Sequence, residues 1–140
     1  MVSTGVTWNQ SAGGGAGPAP TPVIGDVFNC LASVAVPNAV YLSSVDTVSK
    51  AFAGVVPTGD SIGVVVAKPT ATTCRVVGKG LSGAVFVGLT TGATYYLSDA
   101  AAGGIVLTAP IGTGKKIQEM GIAASTTELY VDTDQASVEL

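Results

Sequence analysis

The chain has 140 residues, 47% of them hydrophobic and only 11% charged, with a net charge of −3 and no histidine. That length builds one ordinary domain with a real core. Without histidine, Ser-His-Asp and Cys-His catalysis are excluded, and six basic residues with no basic stripe exclude binding to nucleic acid through its phosphates.

Val and Thr favour strands, while 19 Gly and 7 Pro break helices. The composition therefore predicts an all-β domain with many tight turns. An average soluble domain is roughly 25% charged. The surface here is left to Thr, Ser, Gly and Ala, which protect poorly against association. A life inside an assembly is the expectation. Charge is also uneven: residues 1–25 carry none, and 26–118 hold four acids and six bases. Residues 119–140 hold Glu119, Glu128, Asp132, Asp134 and Glu139 with no base.

Residues 1–22 stand apart as an N-terminal arm. The opening, "VSTGVTWNQ", is uncharged, contains the single tryptophan, Trp8, and lacks the basic and apolar regions of a secretory signal. Asn9 opens an N-x-S sequon, which without a secretory signal is read as chance. "SAGGGAGPAPTP" follows, a Gly-rich coil running into a segment that Pro18, Pro20 and Pro22 hold extended. Trp8 has two readings. It tucks onto its own domain, or the arm docks on a partner with Trp8 and the three prolines as its contacts, since buried aromatics anchor interfaces.

Residues 23–140 form a single β-domain. "VIGDVFNCLASV" alternates with Ile24, Phe28 and Cys30 on one face, the pattern of a half-buried strand. "PNAVYLSS" is a second strand, and "DTVSKAFA" a third or one helical turn. In "VVPTGDSIGVVVAK" the Pro57–Asp60 turn separates two β-branched runs, which is hairpin chemistry. "TTCRVVG" and "GAVFVGL" are two strands joined by a Gly78–Gly83 loop. "TYYLSD", "GGIVLTA", "KKIQEMGIAA" and "ELYVDTD" complete the set. Tyr95 and Leu97 share one face of their strand, and Ile105 and Leu107 one face of theirs. About 8–10 short antiparallel strands at roughly ten-residue spacing predict a compact β-sandwich or small β-barrel behind an extended N-terminal arm.

Chemistry is sparse. Cys30 and Cys74 are expected as two free, buried thiols, since one distant pair is not a disulfide framework. "GTGKK" at 112–116 lacks the Walker spacing and is expected, with Lys115 and Lys116, as a solvated hairpin tip. Asp132 and Asp134 share a side of the last strand, but without the spacing of a calcium loop. No cofactor, metal site or catalytic residue is expected, so the chain is not read as an enzyme. No run reaches the ~18 apolar residues of a membrane span.

Residues 88–132 also carry a recognisable grammar: Gly92, "YYLS" at 95–98, Gly104, Thr108-Ala109-Pro110, Gln118, Gly121, Ala123 and "LYV" at 129–131. This resembles small β-domain virion proteins of tailed bacteriophages, found in capsid decoration (cement) proteins, head fibres and tail-fibre modules. With "NAVYLSSVDTVSKAFAG" upstream, the resemblance spans roughly residues 30–132. It implies a structural virion protein on the outer capsid surface, commonly a homotrimer, made in the host bacterial cytoplasm. Its partners would be the major capsid protein and itself, and it would stabilise the head by bridging capsomers. The alternative is a head-fibre or tail-fibre module that binds the host surface through Tyr41, Tyr95, Tyr96 and Tyr130 as a sugar-stacking platform.

Overall fold

The computed structural model describes residues 25–133 and 137–140, which are all-β. The arm, with Trp8, Pro18, Pro20 and Pro22, lies outside the described residues, as do Ile24 and Asp134. Twelve short strands follow one another: β1 (Asp26–Cys30), β2 (Ala39–Ser44), β3 (Thr47–Lys50), β4 (Ser61–Thr70), β5 (Thr73–Val77) and β6 (Lys79–Leu81), then β7 (Thr94–Leu97), β8 (Ile105–Val106), β9 (Lys116–Ile117), β10 (Glu119–Ala123), β11 (Leu129–Asp132) and β12 (Val138–Glu139).

Strands β1–β5 close on themselves in the order β1-β3-β2-β4-β5. Closure comes from β1, which pairs antiparallel with β5 and parallel with β3. That parallel pair departs from the all-antiparallel expectation. A second, open sheet has the order β6-β11-β10-β7-β8, and β12 pairs β9 apart from it. The end of the acidic tail is thus tied down, with Val138 opposite Ile117 and Glu139 opposite Lys116.

One wall of the barrel is buried on both sides. Val40, Val65 and Val76 point inward and meet Cys30, Val34, Val48 and Cys74. Their chain neighbours Ala39, Val64 and Val77 point outward into the larger core, against Leu97, Met120, Leu129 and Val131 of the open sheet. Side chains alternate across a strand, so a strand covered on both faces needs adjacent apolar residues. The pairs Ala39-Val40, Val64-Val65 and Val76-Val77 meet that need, each residue nearly or fully buried.

Polar groups clasp the two halves together. The Ser61 N–H donates to Gln118 Oε1 at 2.8 Å, and Gln118 Nε2 donates back to the Ser61 carbonyl at 2.9 Å. Gln118 is buried, and its own carbonyl accepts the Leu97 N–H. One residue therefore ties β4 of the barrel to β7 of the sheet. Two positions away, Lys116 Nζ donates to the Thr58 carbonyl at 2.7 Å and to Asp60 Oδ1 at 2.9 Å. Lys116 was expected on a solvated tip, yet it is buried. Its long stem crosses the junction and its charge meets a carboxylate at the rim. Lys115 likewise pairs with Asp99 at 2.8 Å.

Three other expectations are corrected. Val55 and Val56 do not form a strand: Val56 adopts φ +58° and both side chains are exposed. The expected strand at 83–89 is a loop. Its Phe86 and Leu89 N–H groups bond the carbonyls of Thr127 and Thr126, and both side chains plug the end of the larger core. The strand lies instead at Lys79–Leu81, inside the expected loop. In the Tyr95 region the alternation holds: Tyr95 and Leu97 are buried together. Across from them Ile105 packs on the core, but Leu107 is exposed.

Gly121 shows how tight the open sheet is. It adopts φ +150° beside a register shift, and a Cβ there would fall on the Tyr130 carbonyl. Gly121→Ala should cost about 1–3 kcal/mol in urea unfolding, the range for overpacking. Gln118→Leu leaves two buried backbone groups of Ser61 without partners, at about 1–3 kcal/mol each. Gln118→Met orphans the same two groups, so it should lose about as much in the same measurement; a much smaller loss for Met than for Leu would assign the effect to side-chain shape instead of the amide.

Candidate functional site

The reactive groups are held in unreactive states. Cys30 and Cys74 are free and buried in the barrel, as expected. Burial, and then the neighbouring Cys30, push the Cys74 thiol up to about 12. The thiolate is the nucleophilic form, so Cys74 stays protonated and inert at neutral pH. Hydrogen bonds from Lys116 and then Ser137 hold the Asp60 carboxyl below its usual value. Lys115 does the same for Asp99. These carboxylates act as structural counter-charges. Among the described residues, no three His, Cys, Asp or Glu side chains converge to hold a metal ion. No described helix is long and apolar enough to cross a membrane.

The four tyrosines do not assemble into one platform. Tyr95 is buried, and its hydroxyl accepts the Thr90 N–H at 2.9 Å. Tyr41 leans on the larger core from the barrel side. Tyr96 and Tyr130 share the outer face of the open sheet, since Ile122 stands opposite both Tyr130 and Thr94. Only Tyr130 is exposed among the four.

Two apolar surfaces stand out among the described residues. The first is a row fixed by register. Leu81 of β6 stands opposite Tyr130 of β11, which stands opposite Ile122 of β10. Their exposures are 44%, 48% and 46%. Three large apolar side chains from three adjacent strands thus form one solvent-facing stripe. Sequence alternation marks Tyr130 and Ile122 as outward-facing, but joining them to Leu81 requires strand β6, which the sequence concealed.

The second surface is an open groove of about 510 Å³ at the other edge of the same sheet. Phe86, Leu89 and Tyr95 lie at its base, and Val87, Ile105 and Leu107 along its sides. None of its lining residues is charged. The described residues thus form an all-β fold that carries an exposed apolar stripe and an uncharged groove. No protein family, curated protein or solved structure matches the chain.

Two solution tests follow. The native protein should resist labelling by a thiol reagent at neutral pH, and both cysteines should react once denatured; rapid native labelling would contradict burial. The pH dependence has two sides. Asp60 and Asp99 have lowered values when folded, so their stabilisation is complete above their ordinary value of 3.8 and lost as pH falls through the folded values. Cys74 has a raised value, so its contribution is complete below the ordinary thiol value of 9.0 and lost as pH rises toward about 12. Thermal melts should accordingly fall off at both ends, and Asp60→Asn should flatten the acid side.

Proposed function

We propose that this chain is a structural virion protein, a capsid decoration (cement) protein that binds the outer surface of a tailed-phage head and bridges capsomers. The observation that carries the reading is the Leu81–Tyr130–Ile122 stripe on a charge-poor domain. Single exposed apolar residues are ordinary on protein surfaces, whereas contiguous apolar patches mark contact sites. The sequence grammar at 88–132 supplies the virion context. In this reading the stripe rests on the major capsid protein, copies associate as a homotrimer, and the arm with Trp8, Pro18, Pro20 and Pro22 extends the contact beyond the domain. Each bound copy adds buried area at joints between capsomers, which resists pressure from packaged DNA. The role needs no catalytic group or cofactor.

Immunogold labelling of purified virions tests the location. Gold spread over the head is the expected result. Gold confined to the tail tip would replace this reading with the host-binding fibre module, and no gold on intact or opened particles would end both. For the stripe itself, Tyr130→Lys should weaken binding to empty capsid shells by at least ~10-fold, because the central aromatic of an interface is where the few truncations costing about 2 kcal/mol or more concentrate. Its melting temperature should stay near that of the parent. Unchanged capsid binding would remove the stripe from the interface.

A further inference from the structure

Residues 137–140 are held differently from the rest of the domain. Strand β12 pairs with β9 in a two-stranded ladder apart from the barrel and the open sheet. Two further backbone bonds extend it: the Leu140 N–H donates to the Lys115 carbonyl, and the Gly114 N–H to the Leu140 carbonyl, each at 2.8 Å. Apolar burial adds little, since Val138 is 54% exposed and Leu140 42%. Glu139 is exposed as well. A segment with few buried apolar contacts and exposed backbone bonds opens at a lower free energy than a core strand. Its neighbours have other supports. The Lys116 N–H donates to the Ala53 carbonyl at 2.9 Å, which fixes β9 from its other side. Before the segment, the Thr133 hydroxyl bonds the Ile62 and Gly78 carbonyls at 3.1 Å each. Both flanks therefore stay in place when 137–140 lifts.

Among the described residues, one side chain ties this segment to the seam between barrel and sheet. Ser137 Oγ donates to Asp60 Oδ1 at 2.8 Å. The same oxygen accepts from Lys116 Nζ at 2.9 Å. The Lys116 side chain is 3% exposed, but that of Asp60 is 62% exposed. The carboxylate that carries both contacts is thus open to protons from solvent. Lys116 is the charged group that faces it among the described residues. Glu139 stands opposite Lys116 in the ladder, and the Lys115–Asp99 pair lies one residue along.

We propose that residues 137–140 form an acid-released strap: protonation of Asp60 frees the segment from the seam while the barrel and the open sheet stay folded. A hydrogen bond to an ionised acceptor is roughly twice as strong as one between neutral groups. Protonation leaves Ser137 with the weaker kind. Linkage gives the direction. The hydrogen bond from Lys116, and then that from Ser137, hold Asp60 below its ordinary value of 3.8. What the strap gains from the bond is therefore complete above 3.8 and lost as pH falls through the folded value. The Lys116 ammonium keeps the Thr58 carbonyl throughout, and Gln118 keeps both backbone groups of Ser61. The device needs no capsid and does not rest on the virion reading.

Amide hydrogen exchange of the full chain, read residue by residue by NMR from neutral pH down to about pH 2, tests this. The Gly114 and Leu140 N–H groups report the strap. The Ser61 and Leu97 N–H groups, both bonded to Gln118, report the domain. At neutral pH the strap reporters should exchange faster than the domain reporters. In acid their protection, corrected for intrinsic rates, should drop a further ~10-fold relative to Ser61 and Leu97, the weight of a charge-assisted bond over a neutral one. Ser137→Ala removes the bond and leaves Lys116 on Asp60. It should show the lower protection already at neutral pH and no acid step. Glu139→Gln should keep the step, because that carboxyl does not hold the strap. Equal exchange at strap and domain reporters at every pH overturns separate opening. An acid step that survives Ser137→Ala, or that disappears in Glu139→Gln, overturns the role of Asp60.

Discussion

The buried amide of Gln118 is the constraint on which the two halves of this domain depend. The barrel and the open sheet each satisfy most of their backbone groups internally, but Ser61 at the start of β4 sits where the two meet. Its N–H and C=O both turn to Gln118. Only a side chain that donates and accepts at once can close that pair. The Ser61 hydroxyl adds bonds to the Val40 and Gly63 carbonyls, extending the network into β2. Buried polar networks of this kind specify one arrangement because a partly satisfied alternative leaves costly orphans. Apolar contacts between two sheets would tolerate sliding; the amide does not.

The shared wall explains the composition. A five-strand barrel has a narrow interior, and here it is filled by valines and two cysteines, with Phe28 and Ile62 at its margins. Larger side chains go to the second core, where Leu97, Met120, Leu129, Phe86 and Tyr95 fill the space between barrel and open sheet. Small residues at Ala39, Ala51 and Ala53 let the barrel wall approach that layer. The high Val and Ala content is thus a consequence of one sheet having no solvent face over part of its length. It also leaves few positions for charge, so lysines 115 and 116 are drawn into the junction with Asp99 and Asp60.

Sequence patterning revealed what depends on neighbours along the chain and missed what depends on distant ones. The alternation around Tyr95 and Leu97, the buried thiols and the all-β class follow from local period and residue type. Lys116 reads as a loop residue because its partner Asp60 is 56 positions away. "GAVFVGL" has the residues of a strand, yet it forms a loop with Gly83 and Gly88 in left-handed conformations, and its apolar side chains cap a core instead. "KGL" at 79–81 has no strand signature, and pairing with β11 alone makes it one. The apolar stripe inherits this blindness: two of its members are legible as outward-facing, and the third becomes its neighbour only through that concealed strand. The groove is less legible still, since it is lined by segments 37–38, 86–89 and 103–107, joined by tertiary folding alone.

Edges decide how such a domain behaves among copies of itself. Closing β1–β5 removes the edges of one sheet, which is the most complete protection against unplanned strand pairing. Among the described residues the open sheet keeps two, β6 with three residues and β8 with two. Short edges offer few backbone bonds, so pairing there gains little unless side chains add to it. At β6 the adjoining outer face carries Leu81, next to Tyr130 and Ile122; at β8 the adjoining groove exposes the rim of the core. Both edges therefore combine a weak backbone template with an adjoining apolar surface. An aggregation-prone protein would show long bare edges. Here both edges are short, and the exposed apolar side chains beside them, Leu81 at one and Val87 and Leu107 at the other, stand next to few backbone groups that a foreign strand could pair with.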